Sequence, residues 1–466
     1  MRKGITFLIV CIFTIFLSCT QDEVFQDDDA IQGKESASKK FLSTSTIKST
    51  VTNPLTPQIV ENQIVIEFKQ KGLLPDIKNN IRDTVQVKYH FVIDHIETCD
   101  CENDDIELWT IDTTDDDFGG IEDLVQNLST DDDGDEDLNG DYQFTLFVKD
   151  GYQKMMGKNM VKAESKVFYD APANAVNIAI IDTGIDYDYL PAPVLYNSAG
   201  DNPSCYPDEI SGWDFVNNDN DPRDDHAHGT LVNQIIRDVL VQENVPYKVL
   251  PVKAFDRNGK GNYFDLLCSL QYIAAKKEAF LVNCSFGFYN LENQEIFENI
   301  VKDNDEYLLL MASAGNEGID TDTEGNTHFP SGYTAPNVLT VGGYVGDFSA
   351  YPSIGSVYVG GFDLATESNY GNSSIDVVAA FEHNVVLDAR SHRLVADVKG
   401  TSFACPEVVA RAAKMFYDTR VRPAQLKNSV MGTSFKAASL RDKIYGSNII
   451  IRGYYQQASP FPPGGF

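Results

Sequence analysis

Asn177-Ile178-Ala179-Ile180-Ile181-Asp182-Thr183-Gly184 is an apolar run that ends on a carboxylate and a turn. A continuous apolar run of this length reads as a parallel strand buried on both faces, with Asp182 delivered at its C-terminal end. Downstream, helical and strand patterns alternate. Residues 228–241 are helical, 248–255 a strand, 263–277 helical and 280–285 a strand. Then come a helix at 294–303, strands at 308–314, 337–341 and 375–379, and a helix from Ser402. Within 263–277, Phe264, Leu267, Leu270, Ile273 and Ala274 recur at helical spacing and are expected in the core. Such alternation predicts an α/β fold, a mostly parallel sheet with helices on both faces. Open sheets of this kind bind ligands at the C-terminal ends of their strands, where Asp182 is expected.

Two further chemically able side chains open helices. His228-Gly229-Thr230 precedes Leu231-Val232-Asn233-Gln234-Ile235-Ile236, and Gly400-Thr401-Ser402-Phe403-Ala404-Cys405-Pro406 precedes a second helix-forming run. A serine at a helix start is often a simple N-cap. It also sits beside unpaired backbone N–H groups and the positive end of the helix dipole, both of which stabilise an oxyanion. A nucleophilic serine needs a base, and the base needs an orienting acid. His226 is a second candidate base, two residues before His228, and Asp224 and Asp225 read as turn or helix-start residues.

The order Asp182, His228, Ser402, each in its own tripeptide, resembles the subtilisin-like serine proteases. Leu308-Leu309-Leu310-Met311-Ala312-Ser313-Ala314-Gly315-Asn316-Glu317-Gly318 is similar to the strand and turn that carry the family's oxyanion-hole asparagine, which would be Asn316. The resemblance implies a catalytic triad of Asp182, His228 and Ser402. It also implies substrate-lining backbone at Ser285, Phe286 and Gly287, at Gly259 and Gly261 within Asn258-Gly259-Lys260-Gly261, and at Ala314 and Gly315. His328-Phe329-Pro330 resembles the turn after that asparagine. A bulky His328 would shorten the specificity pocket and Glu317 at its rim would favour basic side chains, so no residue preference follows. Leu231, Phe403 and Glu407 depart from the family's usual His, Met and His. None of these removes a proton-transfer group. No cofactor is required by the implied chemistry. Structural calcium is common in the family, yet Asp186-Tyr187-Asp188-Tyr189-Leu190-Pro191 matches no ligand set, so no metal residue is assigned.

Two other functions compete. Asp182-Thr183-Gly184 alone also suits an aspartic protease, which needs two such carboxylates; a second D-T-G or D-S-G is absent from the sequence. A surface-anchored binding scaffold with a silent protease fold is the non-enzyme alternative.

The 466 residues carry a formal net charge of -32, which argues against nucleic-acid partners and against docking on anionic lipid. About half of that charge lies before residue 166, as expected of a separate acidic unit. Arg2-Lys3 followed by the apolar stretch 5–17 reads as a signal peptide. Phe16-Leu17-Ser18-Cys19 resembles a bacterial lipoprotein cleavage site, which implies lipidation of Cys19; plain secretion is the alternative. The acidic run from Gln21 to Asp29 resembles the tethers of lipoproteins at the outer membrane or cell surface, so the expected location is extracytoplasmic.

The expected order is a signal at 1–18, a tether at 19–58, an α+β unit at 59–150, a linker at 151–170, a catalytic domain at 171–452 and an irregular tail at 453–466. In the α+β unit, strands at 64–68, 87–93, 106–111 and 142–148 and helices at 74–85 and 121–128 give the order βαββαβ, which is ferredoxin-like. It resembles the family's inhibitory propeptide, which implies that the unit chaperones or inhibits the catalytic domain; an unrelated adaptor is the alternative. Its acidic loops, at 115–117 and 131–137, read as solvated charge rather than as calcium loops. Autoprocessing, if it occurs, is expected in the linker. The catalytic domain would then either stay docked or leave the anchored N-terminal unit. Of the eight cysteines, Cys268, Cys284 and Cys405 lie in apolar segments and read as small buried hydrophobes, and no bridge is assigned.

Overall fold

The computed structural model describes residues 56–99, 105–129, 137–148, 172–189, 194–198, 205–206, 208–291, 294–346, 358–389 and 392–452. The expected signal, most of the tether, the linker and the tail lie outside these residues, as does most of the second acidic loop. Among the described residues, no helix is long and apolar enough to cross a membrane.

The N-terminal domain comprises β1 (Gln58–Phe68), α1 (Pro75–Tyr89), β2 (Val92–Thr98), β3 (Ile106–Asp112), α2 (Ile121–Ser129) and β4 (Leu138–Phe147). Its strands pair antiparallel in the order β2-β3-β1-β4, the ferredoxin-like arrangement. The strands β1 and β4 start earlier than expected, at Gln58 and Leu138, and the boundary between α1 and β2 is misplaced. Val87 does not open a strand but lies inside α1, 78% exposed. The helix instead stops at His90, whose left-handed φ of 60° ends the ladder while its N–H bonds to the Gln86 carbonyl. The Gln86 side chain then accepts from the Ile93 N–H at 2.7 Å and fixes where β2 starts.

From residue 176 the chain forms β5 (Val176–Asp182), α3 (His228–Gln242), β6 (Tyr247–Lys253), β7 (Lys260–Asn262), α4 (Tyr263–Ala275), β8 (Phe280–Cys284) and α5 (Glu295–Asp303). It continues through β9 (Leu308–Ser313), β10 (Val338–Gly346), β11 (Val377–Ala380), a hairpin of β12 (Glu382–Ala389) and β13 (His392–Lys399), α6 (Thr401–Thr419) and α7 (Pro423–Gly432). The centre of the large sheet runs β11-β10-β9-β8-β5-β6, all parallel, as the apolar runs predicted. All seven β5 residues are buried because both faces are covered. Ile178 and Ile180 face α3 and α6, while Ala179 and Ile181 face the side of α4 and α5. The hairpin of β12 and β13 was not anticipated.

The two domains share one core. β4 pairs antiparallel with β7, Leu146 opposite Gly261 and Phe147 opposite Lys260. Phe144 stacks on Tyr263 at 4.9 Å and meets Phe288 at 4.7 Å. β4 also supplies groups to two helix starts. Gln143 Oε1 accepts from the Phe264 N–H at the first turn of α4 (3.1 Å), and Asp141 accepts from the Glu295 and Ile296 N–H groups of α5 (3.1 and 2.9 Å). Gln294 and Tyr142 exchange two hydrogen bonds, at 2.7 and 3.0 Å.

Asp141 is fully buried, and burial pushes its carboxyl up to about 8 from 3.8, against the Tyr263 hydroxyl and the two helix N–H groups, which lower it. The packed state therefore holds a proton that the unfolded chain has lost, and this contribution weakens as pH rises from about 4 to about 8. Urea midpoints of a Ser402→Ala chain should fall across that window, and the fall should be shallower in Ser402→Ala/Asp141→Asn. An equal slope in both would remove Asp141 as its source.

Candidate active site

β5 ends on Asp182, completely buried, and α3 begins on His228, completely buried. The His228 Nδ1 lies 2.8 and 2.9 Å from the two Asp182 oxygens, so the carboxylate holds the imidazole by that nitrogen. Asp182 Oδ1 also accepts from the Thr183 N–H at 2.7 Å. His226 is placed differently. Its ring centre is 6.5 Å from that of His228, and it lies beside Gly259, where an added Cβ would be 3.2 Å from its Nε2.

Each residue of the two tripeptides has a physical task. Thr183 Oγ1 accepts from the Gly229 N–H (3.0 Å) and donates to Asp224 (2.9 Å), tying the end of β5 to the start of α3. Gly229 is required by this approach, since a Cβ there would lie 2.2 Å from the Gly184 carbonyl oxygen. Gly184 itself has φ +97°, and a Cβ would meet the Pro222 oxygen at 2.6 Å. Asp224, read from sequence as a turn or helix-start residue, does more than that. One oxygen accepts from the His226 and Ala227 N–H groups and from Thr183; the other accepts from both the N–H and the hydroxyl of Thr230. It fills the orphan donors at the start of α3 and holds the loop that presents His228.

Ser402 is the second residue of α6 and 7% exposed. The ring of its neighbour Phe403 is centred 5.2 Å from that of His228, which puts the start of α6 beside the imidazole. Pro406 sits one turn later, inside the helix. Proline has no N–H to return to the carbonyl four residues back. That carbonyl belongs to Ser402, and it accepts instead from Ser285 Oγ at 2.7 Å. Ser285 in turn accepts from Asn283 Nδ2 at 2.9 Å. Ser285, expected from sequence to line the substrate path, anchors the Ser402 turn with its side chain.

Asn316 faces the same helix start. Its Oδ1 accepts from the Thr401 N–H (2.8 Å) and hydroxyl (3.1 Å), while Thr401 Oγ1 accepts from the Gly315 N–H (3.1 Å). With Oδ1 committed to two donors, the amide orientation is fixed and Nδ2 is the end left to face the cleft. A cleft is lined by Ser402, Asn316, Ser285, Phe286, Gly287 and Gly315, and by Phe147 from β4. Tyr289, Glu317 and His328 also line it. His328 sits edge-on to Tyr289 at 4.7 Å, and a Cβ on Gly287 would fall 2.1 Å from its Nε2, so the imidazole fills space at the wall. Gly259 precedes β7 and Gly261 lies within it: the Val148 N–H donates to the Gly259 carbonyl at 2.8 Å, and Gly261 packs under Ala254 and Phe255. Ala314 is fully buried behind the wall, its carbonyl accepting from Asn369. Asn369 carried no recognisable signal, because its side-chain partners lie tens of residues away in sequence.

A parallel α/β sheet whose C-terminal edge carries a buried acid–imidazole pair, beside a helix that starts on Thr401-Ser402, defines the class as an α/β protein with a candidate catalytic site. The chain belongs to the subtilase family, whose model matches residues 173–448. It is 32% identical over 249 residues to a thermophilic serine proteinase of Bacillus sp. (strain AK1), covering 51% of each chain. It is 26% identical over 292 residues to halolysin of Haloferax mediterranei, covering 61% of this chain and 49% of that one. The chain thus spans about half the length of these relatives. A solved cold-adapted subtilisin-like serine proteinase aligns with 61% of this chain and 92% of its own, at 22% identity and a TM-score of 0.44.

Asp224→Ala should strand several buried donors at once. At about 1–3 kcal/mol for each buried donor left unmade, a loss of about 3 kcal/mol or more is expected in urea unfolding of the Ser402→Ala background. A loss below about 1 kcal/mol would show that water replaces the carboxylate and that it does not organise the loop.

Proposed function

We propose that this protein is a serine endopeptidase in which Asp182, His228 and Ser402 act as one unit. The observation that carries this reading is the Asp182–His228 pair at the sheet edge, beside a cleft whose wall includes both Ser402 and Asn316. Ser402 Oγ attacks the scissile carbonyl carbon, and its proton passes to His228 Nε2 while Nδ1 stays bonded to Asp182. The oxyanion that forms accepts from Asn316 Nδ2 and from the Ser402 backbone N–H. Collapse breaks the C–N bond, His228 returns the proton to the leaving amine, and an acyl-enzyme remains. Water then attacks the ester by the same route and restores the serine. No cofactor enters these steps, and structural calcium is left without assigned ligands.

The antiparallel pairing of β4 with β7 supports the way substrate binds: an extended peptide adds as a strand along the same edge, against Gly259, Gly261 and Gly287. It equally supports the N-terminal domain as chaperone and inhibitor, because Phe147 already stands in the cleft. On this reading residues 59–150 are the inhibitory domain and 171–452 the catalytic one. The protein acts outside the cytoplasm, lipid-anchored through Cys19, and its substrates are peptides or proteins.

Three tests bear on this. A fluorophosphonate probe should label the wild type and not Ser402→Ala, and the wild type alone should split between about residues 150 and 175 by intact mass; absence of labelling would favour the silent scaffold. Asn316→Ala should lower kcat about 100- to 1000-fold with little change in KM, the range recorded for such a donor in a subtilisin. With His328 and Tyr289 shortening the pocket, peptide-library profiling should disfavour large aromatic residues before the scissile bond, and a strong preference for them would refute the short pocket.

A further inference from the structure

Cys99, one residue past β2, is disulfide-bonded to Cys268 in the middle of α4, with Cα atoms 5.0 Å apart. Cys268 is therefore not the lone buried hydrophobe its apolar segment suggested. The two half-cystines are 169 residues apart in sequence, one in each domain, so the loop that the bond closes contains the whole connection 149–171. A second crosslink begins nearby. Cys205 is also disulfide-bonded. Its neighbour Tyr206 donates to the Cys99 carbonyl at 2.7 Å and stacks on Trp213 at 4.3 Å, which fixes the Cys99 turn against the catalytic domain.

We propose that cutting the chain between its domains gives one disulfide-linked pair rather than two separable proteins, with the N-terminal domain held covalently as the occupant of the cleft. The inhibitory part of this proposal rests on the reading of β4 as a cleft occupant given above. Cys99 and Cys268 are 2% and 3% exposed, so an attacking thiolate has no access to either sulfur while the domains are docked, and the bond is a staple rather than a labile switch. Tethering also changes how substrate competes with β4. A domain that cannot diffuse away returns at an effective concentration on the order of millimolar, so opening of the cleft is a local, reversible event. Full release then requires degradation of the N-terminal domain, or its opening followed by reduction, in which an external dithiol is oxidised as the protein disulfide becomes two thiols. Any anchor attached upstream of β1 stays joined to the catalytic domain for as long as the bond lasts.

The test begins with the full chain carrying Ser402→Ala and, between Gly157 and Lys158, an inserted recognition sequence for a site-specific endoprotease. After nicking, thiol alkylation and denaturation, the chain should migrate as one species without reductant and as two fragments with it. A non-reduced digest should contain the Cys99 peptide joined to the Cys268 peptide. Separation of the fragments without reductant would overturn the proposal. Because the added enzyme makes the cut, this outcome does not depend on Ser402, whose role is judged separately by the fluorophosphonate label. For inhibition, the nicked chain with Ser402 intact should keep its specific activity on a hundredfold dilution, whereas Cys205→Ser/Cys268→Ser should gain several-fold as its N-terminal domain dissociates. Activation of the cystine-intact chain on dilution would refute the tethered inhibitor, and if the double variant fails to fold, the dilution behaviour of the intact chain still decides.

Discussion

Every helix that begins at the C-terminal edge of the sheet brings backbone N–H groups that its own turns cannot satisfy, and the cleft is assembled from the groups that satisfy them. Asp224 serves α3, Asn262 and Gln143 serve α4, Asp141 serves α5, and Asn316 serves α6. These acceptors hold the helix starts in register with the strand ends. They also position the proposed catalytic groups, because His228 and Ser402 each lie within the first two residues of a helix so held. The same orphan donors that make a helix start costly to bury make it a good place to receive negative charge. Asn316 joins the two uses, since the oxygen that caps α6 is what turns its amide nitrogen toward the cleft.

Close approach is the second constraint, and it explains why small residues recur in the motifs. β5 and α3 meet at Gly184 and Gly229 with no room for a Cβ, which brings the Asp182 carboxylate within bonding range of an imidazole on a different element. The Ser402 turn is fixed by a complementary device. Pro406 withholds the N–H that would have closed the first turn of α6 on Ser402, and the freed carbonyl is taken by Ser285 from the end of β8. The wall of the cleft and the helix carrying the proposed nucleophile are therefore mechanically one piece. A change in one is expected to be felt by the other.

The sequence exposed what is local and hid what is not. The central strands were legible because burial on both faces writes an uninterrupted apolar run, and the helix starts at His228 and Ser402 were legible from the patterns that follow them. β2 was misplaced because Val85 and Val87 suggest an extended segment, while the helix end is set by the backbone conformation of His90, a residue with no strong stop signal. The hairpin of β12 and β13 was missed because its charged residues broke the apolar pattern. In the candidate site, Asp182, His228, Ser402 and Asn316 are read from motifs, yet Asn369 and the Ser285 anchor acquire meaning only when remote segments meet. The Cys99–Cys268 bond is the extreme case. Its two sulfurs are joined by a docking event between domains, and no spacing rule reaches across 169 residues.

The N-terminal domain is bound into the architecture through β4, the strand whose Phe147 also lines the cleft. β4 gives α4 and α5 their missing acceptors through Gln143 and Asp141, buries aromatic faces of Tyr263 and Phe288 under Phe144, and extends the sheet edge along which a peptide would lie. Removing the domain would return those N–H groups to water at modest cost, since water can replace a lost acceptor. The exposed aromatic surface has no such replacement. A catalytic domain whose helices are completed from outside is thus held toward the docked state even after the connecting chain is cut. The disulfide then adds little to the shape of the docked state and much to its persistence, because it converts a dissociation into a local opening that must reverse.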